Sequence, residues 1–385
     1  VLALRLARGT HPLILLRRLV VAAASAGVGF LLLCTLGYAV DHPSGAGLRL
    51  LWCSVPLAAS VHLAVAVART DPSTRPRAGL SAVGLGPARL TTIAAASTAV
   101  ACTIGSAVAL VTYLHLRGDV TGLPFDGTAA GLLAADRPMP LAGALTLLTV
   151  PPVAASAAAS VALRPRTRRP ADTDEPVRPE EPTATPGGLP WGVTLVAAGL
   201  AVESYLSRGA QDSALPMPGH AQGSPVGVLA GWALTALGLA VAGPGLAHFS
   251  GRLLQSARPG AARLLAGRGL MAEARRIGRP LGVVCAVASG AIAAASLYDG
   301  RGPHPFGPMT GLGAALVMSC TVATLLTAAL ESRHARAETT AALLSLGTPT
   351  KLLRGAVALR ALALLAVFAP LTLAIAELAA LPLRN

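Results

Sequence analysis

The chain has 385 residues, 53% of them hydrophobic and only 12% charged, and its mean hydropathy is +0.63. So apolar a chain cannot present one continuous water-facing surface, which excludes a soluble enzyme and a largely disordered polymer and leaves a polytopic membrane protein. The formal net charge of +14 does not indicate nucleic acid, because the arginines sit between apolar runs and aromatic residues, at 3%, are too few to interleave with them.

A hydrocarbon core about 30 Å thick needs roughly 20 apolar residues per helix. Nine stretches meet or approach that length: 19–40, 50–68, 90–114, 139–163, 189–206, 226–249, 280–298, 309–330 and 361–382. Spans one, three, four, seven and eight contain no charged residue, and the fifth is the shortest and carries Glu203. The run after Arg18 is too long for the apolar region of a signal peptide, so span one is expected to be a retained anchor.

Basic loops resist translocation, so Lys and Arg report orientation. With the N-terminus inside, 25 basic residues fall in inner segments, and only Arg49, Arg117, Arg137, Arg208, Arg301 and Arg384, 6 in all, fall outside. The expected topology has a cytoplasmic N-terminus and, with nine spans, an outer C-terminus. The segment Arg164–Gly188 mixes Pro, Thr and charge without an apolar period and reads as a disordered cytoplasmic linker.

Two inner loops share one pattern. Between spans two and three, Arg77 leads through Leu80, Val83 and Leu85 to Gly86, Pro87 and Arg89; between spans eight and nine, Glu338 leads through Leu343, Leu344 and Leu346 to Gly347, Pro349 and Lys351. Each reads as a short amphipathic helix closed by Leu-Gly, with glycine in the left-handed cap position and Pro plus a basic residue opening the next helix. The two Leu-Gly pairs are 261 residues apart. The same offset sets Arg17 and Arg18 opposite Arg276 to Arg279, each preceded by an amphipathic stretch, Leu2–Leu16 and Ala262–Ile277, expected to lie along the inner membrane surface.

This plan resembles the FtsX-like (MacB-type) permease family of ABC transporters, in which a four-helix unit is duplicated around two additional helices. The resemblance implies an all-α fold of two repeats in a 4 + 2 + 3 arrangement. Residues 1–163 would form the first repeat with its interfacial helix, 164–188 the linker, 189–249 a two-helix insert and 250–385 the second repeat, with three spans where the family has four. Every outer loop is short, whereas family members usually carry a large extracellular domain.

The resemblance also implies partners and roles. The two inner loops would be coupling helices docking on a dimer of a separate ATPase subunit that binds ATP and Mg²⁺, with Leu80, Val83, Leu85, Gly86, Leu343, Leu344, Leu346 and Gly347 in the contact. Arg77, Arg89, Glu338 and Lys351 would be charges at its rim, setting orientation and association rate more than strength. A second permease copy or a heterologous permease would complete the assembly in the bacterial cytoplasmic membrane, and the substrate would be amphipathic, a lipid or an antimicrobial peptide, exported or extracted.

The chemistry missing from the sequence agrees with a separate ATPase. A P-loop needs Gly-x-x-x-x-Gly-Lys-Ser/Thr, and the single lysine, Lys351, lies in Thr-Pro-Thr-Lys-Leu. The eight histidines form no HExxH, no GxSxG elbow occurs, and the five cysteines lie in apolar runs without a CxxC, so no cofactor, metal or catalytic constellation is expected within this chain.

Ionisable groups inside spans are costly and are functional candidates by default. His62, Glu203 and Glu377 qualify: the two glutamates read either as groups reaching interfacial water or as members of a transport pathway, and His62 either as a neutral ring donating to a neighbouring helix carbonyl or as a proton relay. His248, at the inner end of span six, reads as interfacial. Gly282, Ala286 and Gly290 on span seven, and Ser25 and Gly29 on span one, form small-residue ridges suited to close helix packing. Two other functions stay open: a proton-coupled secondary transporter using Glu203, Glu377 or His62, and a non-transporting FtsX-like envelope regulator.

Overall fold

A computed structural model describes residues 12–43, 46–70, 87–120, 127–131, 133, 135, 138–164, 187–206, 214–215, 224–256, 260–298 and 308–384. Its helices are α1 (Pro12–Asp41), α2 (Ala46–Trp52), α3 (Ser54–Thr70), α4 (Pro87–Arg117), α5 (Leu141–Ala162), α6 (Gly188–Leu206), α7 (Val226–Gln255), α8 (Ala261–Tyr298), α9 (Pro308–Ala335), α10 (Ala337–Ser345) and α11 (Thr350–Arg384). A two-residue antiparallel ladder, Ala214–Leu215 with Ser224–Pro225, lies between α6 and α7 in the sequence. Among the described residues, nine helical segments are long and apolar enough to cross a membrane, with α2 and α3 counted together as one. This is the all-α build of a multi-pass membrane protein.

The chain divides into two compact units. The first gathers α1 to α5 with the opening part of α9, residues 308–324. Its core is made by small side chains that let helices approach closely: Val21 and Ala24 of α1 meet Leu63, Ala64 and Val67 of α3, Ala101 and Cys102 of α4, Ala155 of α5 and Cys320 of α9. The small-residue ridge of α1 faces α4, where Ser25 Oγ donates to the Cys102 carbonyl at 2.9 Å. A Cβ on Gly29 would stand 3.0 Å from that of Ala109. Tyr113, fully buried, donates its hydroxyl to the Leu133 carbonyl at 3.3 Å. Helix α5 continues through Pro151 and Pro152, both buried in this unit.

The second unit gathers α6, α7, α8, the remainder of α9, α10 and α11. Glycines line both seams of α7. Toward α6, Gly192 meets Ala242, Gly238 meets Val196, and Gly199 meets Gly231 and Thr235. Toward α8, Gly243 meets Gly278, Gly282 meets Leu239, and Gly251 meets Gly267 and Met271. Without side chains between them the backbones come close enough for dispersion to hold helices together where lipid offers no hydrophobic drive. The ridge expected on span seven is therefore the α7 seam, and its third residue, Gly290, lies under the ring of Trp232.

Two features differ from the sequence expectation. The stretch 262–277 is not a separate segment; it is the first half of α8, one helix of 38 residues through Pro280. At 1.5 Å per residue α8 is about 57 Å long, well beyond the hydrocarbon core, and its extra turns pair with the end of α7 through Gly251 and Gly267. The second difference concerns span eight. Residues 308–324 of α9 group with α1 to α5, where Leu316 packs on Gly27, and only 325–335 group with α8 and α11. The last three spans thus do not form one compact group.

Candidate functional site

Two places in the second unit combine polar chemistry with unusual exposure or burial. The first is the turn around α10. This helix opens at Arg336, whose guanidinium pairs with Glu273 of α8, while Arg276 of α8 faces Glu331 of α9 at 3.7 Å. The Glu273 and Arg336 side chains are only 15% and 31% exposed, so this pair is better shielded than an ordinary surface pair. Close by, Arg360 of α11 reaches over Gly269 and donates Nη2 to the Leu265 carbonyl at 2.9 Å.

The end of α10 is built by a complete cap. Gly347 has φ +85, its N–H bonds the Leu344 carbonyl at 3.0 Å, and the Thr348 N–H bonds the Leu343 carbonyl at 3.1 Å. That pair of bonds is the Schellman arrangement, in which glycine takes the left-handed conformation at no steric cost. Pro349 and Thr350 then open α11. The apolar side chains of the turn point outward: Leu344 is 42% exposed and Leu346 81%, Leu343 is half-buried, and Lys351 is exposed. A cap this well defined, with its most exposed leucine in solvent, makes an apolar knob of fixed geometry.

The first inner loop lies mostly outside the described residues: Arg77, Leu80, Val83, Leu85 and Gly86 are among those not described. Its end is seen. Helix α4 begins at Pro87 and Arg89 is exposed in its first turn. The side chain of Glu338 also falls outside the described set.

The second place is inside the span region. Glu203 of α6 is 1% exposed, so the interfacial reading fails for it. Its Oε1 accepts a hydrogen bond of 2.9 Å from Trp232 Nε1 of α7, and its Oε2 has no partner. Thr235 Oγ1, one turn along α7 from Trp232, is likewise buried and unpartnered. Both residues line a partly open cavity of about 50 Å³, together with Ser289 and Gly290 of α8 and Ile375 and Ala379 of α11.

Of the other sequence candidates, Ala286 and Gly290 line the cavity, whereas Glu377 and His248 do not. His62 is exposed on α3, on the face opposite its buried neighbours Leu63 and Ala64. Glu377 is exposed on α11 although Ala376 and Ala379 beside it are buried. His248 is buried in α7. Ala286 lines the cavity between the two glycines of its ridge. Among the described residues no cluster of three His, Cys, Asp or Glu side chains is arranged to hold a metal.

Sequence reasoning missed Trp232, Thr235 and Ser289, and it gave Glu273 no role and Arg336 none beyond topology. One signal existed for the first group, since Trp232 is one of only 3 tryptophans and lies in the span adjoining Glu203. No protein family, curated protein or solved structure matches the chain.

Proposed function

We propose that the chain is the membrane-spanning permease subunit of an ABC transporter of FtsX-like type, moving an amphipathic substrate such as a lipid or antimicrobial peptide under the power of a separate ATPase. The observation that carries this reading is the α10 knob, a short capped helix held at its start by Glu273 and Arg336 that leaves Leu344 and Leu346 in solvent. Exposed leucines on a rigid element suit a hydrophobic pocket in a partner, because little side-chain or backbone freedom is lost when they dock. The surrounding basic residues, Lys351 among them, suit a partner with acidic rim groups.

In this reading ATP closes a dimer of ATPase subunits, the pocket carries α10 with it, and the ion pair passes the displacement to α8. From α8 the glycine seam passes it to α7 and α6, since helices in backbone contact move as one body. The repeated Leu-Gly pattern gives the loop around Leu80, Val83 and Leu85 the same task. The basic asymmetry of inner and outer loops supports a cytoplasmic N-terminus, which sets both loops on the ATP side of a bacterial cytoplasmic membrane.

The test is co-purification of the tagged chain, in mild detergent, with any P-loop protein from its own membranes. Leu346→Asp and Leu344→Asp, both at exposed positions of the turn, are expected to abolish that association while leaving the amount of folded permease unchanged. Unchanged association in the Leu346→Asp, Leu344→Asp double variant contradicts the docking role of α10.

A further inference from the structure

The geometry points to a binding site for one small monovalent cation in the cavity between α6, α7, α8 and α11, with the Glu203 carboxylate as its charge partner. The inference does not depend on the permease reading. It rests on a mismatch of charge and hydrogen bonding. A carboxylate that is 1% exposed needs a cation or several donors, because burying an isolated charge costs far more than one hydrogen bond offsets. Glu203 receives one donor, Trp232 Nε1, on one oxygen, and its other oxygen is unpartnered.

The lining supplies no protein cation. From α7 come Trp232, Thr235 and Ala236, from α8 Ala286, Ser289 and Gly290, and from α11 Ile375 and Ala379. None of these is titratable. Titratable groups close in sequence to the lining are Tyr205 of α6 and Glu377 of α11, both exposed, and Cys285 of α8, adjacent to Ala286; none of them lines the cavity. The volume, about 50 Å³, is several times the roughly 10–15 Å³ that one water-sized particle requires. A hydrated proton or a bare alkali ion fits, and a lipid or peptide does not.

The ligating atoms are oxygens suited to such an ion. Glu203 Oε2 and Thr235 Oγ1 are both buried and free, and the Ser289 hydroxyl, which donates to the Ala286 carbonyl at 3.0 Å, keeps its lone pairs. Hard oxygen donors select proton or alkali cations over soft metals. The indole that holds Oε1 is fixed in turn, its ring packed on Gly290, so the carboxyl is preorganised with one oxygen left for the ligand.

The test reads Trp232 directly. In the full chain in detergent, Trp52→Phe and Trp191→Phe leave Trp232 as the only indole. Its emission is followed against NaCl at fixed pH, with choline chloride as the ionic-strength control, and then against pH without alkali ions. A saturable response to Na⁺ names an alkali ion as occupant, and a response to pH alone names the proton; either supports the site. Both responses are expected to vanish in Glu203→Gln, whose amide oxygen still accepts from Trp232, and to weaken in Thr235→Val. A flat signal in both titrations with the protein folded, or a titration that survives Glu203→Gln, overturns the inference.

Discussion

The seam between α6 and α7 can be opened by one methyl group. A Cβ on Gly192 would stand 2.5 Å from the Ala242 amide nitrogen, 2.6 Å from its Cβ and 2.7 Å from its Cα, against an ordinary contact distance of at least 3.4 Å. None of the three atoms belongs to a side chain that can swing away, so Gly192→Ala must part the helices there by about 0.9 Å. A gap of that order forfeits a quarter to a half of the dispersion energy of each atom pair along the seam, and overpacking of this kind costs about 1–3 kcal/mol. Gly355→Ala in α11, with nothing within 4 Å of the new Cβ, is the control, expected to leave stability unchanged or raised by its better helix propensity. The assay is loss of monodisperse protein on heating in detergent, both variants at one heating rate because such unfolding is commonly irreversible. Equal behaviour of Gly192→Ala and Gly355→Ala would refute the claim that backbone approach holds α6 on α7.

Three further outcomes are expected. Arg336→Glu sets two carboxylates together and costs about 1–3 kcal/mol locally, raising hydrogen exchange in 337–345, and the double exchange Glu273→Arg, Arg336→Glu restores protection; no rescue would deny the ion pair its role. Gly347→Ala forces a Cβ into the left-handed region at φ +85, at about 1 kcal/mol, and is expected to fray α10 in the same exchange measurement without touching α6 or α7. The five native cysteines are all buried, so an introduced thiol reports topology cleanly: Ser345→Cys is expected to react with a membrane-impermeant maleimide only from the cytoplasmic side, and labelling of intact cells at that position would invert the orientation.

The spans were legible because length of apolar run is the physical requirement of a bilayer, and each of the nine runs is helical to within a few residues of the end expected to face outward. Of the opposite ends, those of spans two to five agree as well, whereas α1, α8 and α11 begin well before the expected spans and α7 and α9 run past theirs. Arg263, Arg268, Arg275, Arg276 and Arg279 break the apolar run, yet α8 begins at Ala261, because its backbone hydrogen bonds are satisfied within the helix and its glycines still fit α7. The cap at Gly347 was readable from Leu-Gly-x-Pro, since only the local chain decides it. The burial of Glu203 was not readable, because its partner Trp232 is 29 residues away and no periodicity relates the two. Nor was the pairing of Glu273 with Arg336, 63 positions apart in the sequence. The division of α9 between two units depends on packing along its length, which its featureless apolar face does not encode: Leu316 and Cys320 meet α1, while Glu331 meets α8.

The proposed docking of α10, and of the loop before span three, on an ATPase carried by another chain can be tested in the intact complex. The most direct measurement is the stoichiometry of P-loop protein bound to the unaltered, tagged chain purified in mild detergent from its own membranes, by quantitative mass spectrometry. One ATPase at a fixed ratio to the permease, lost in Leu346→Asp, is the expected result. An intact, folded chain that reproducibly carries no P-loop protein would contradict it.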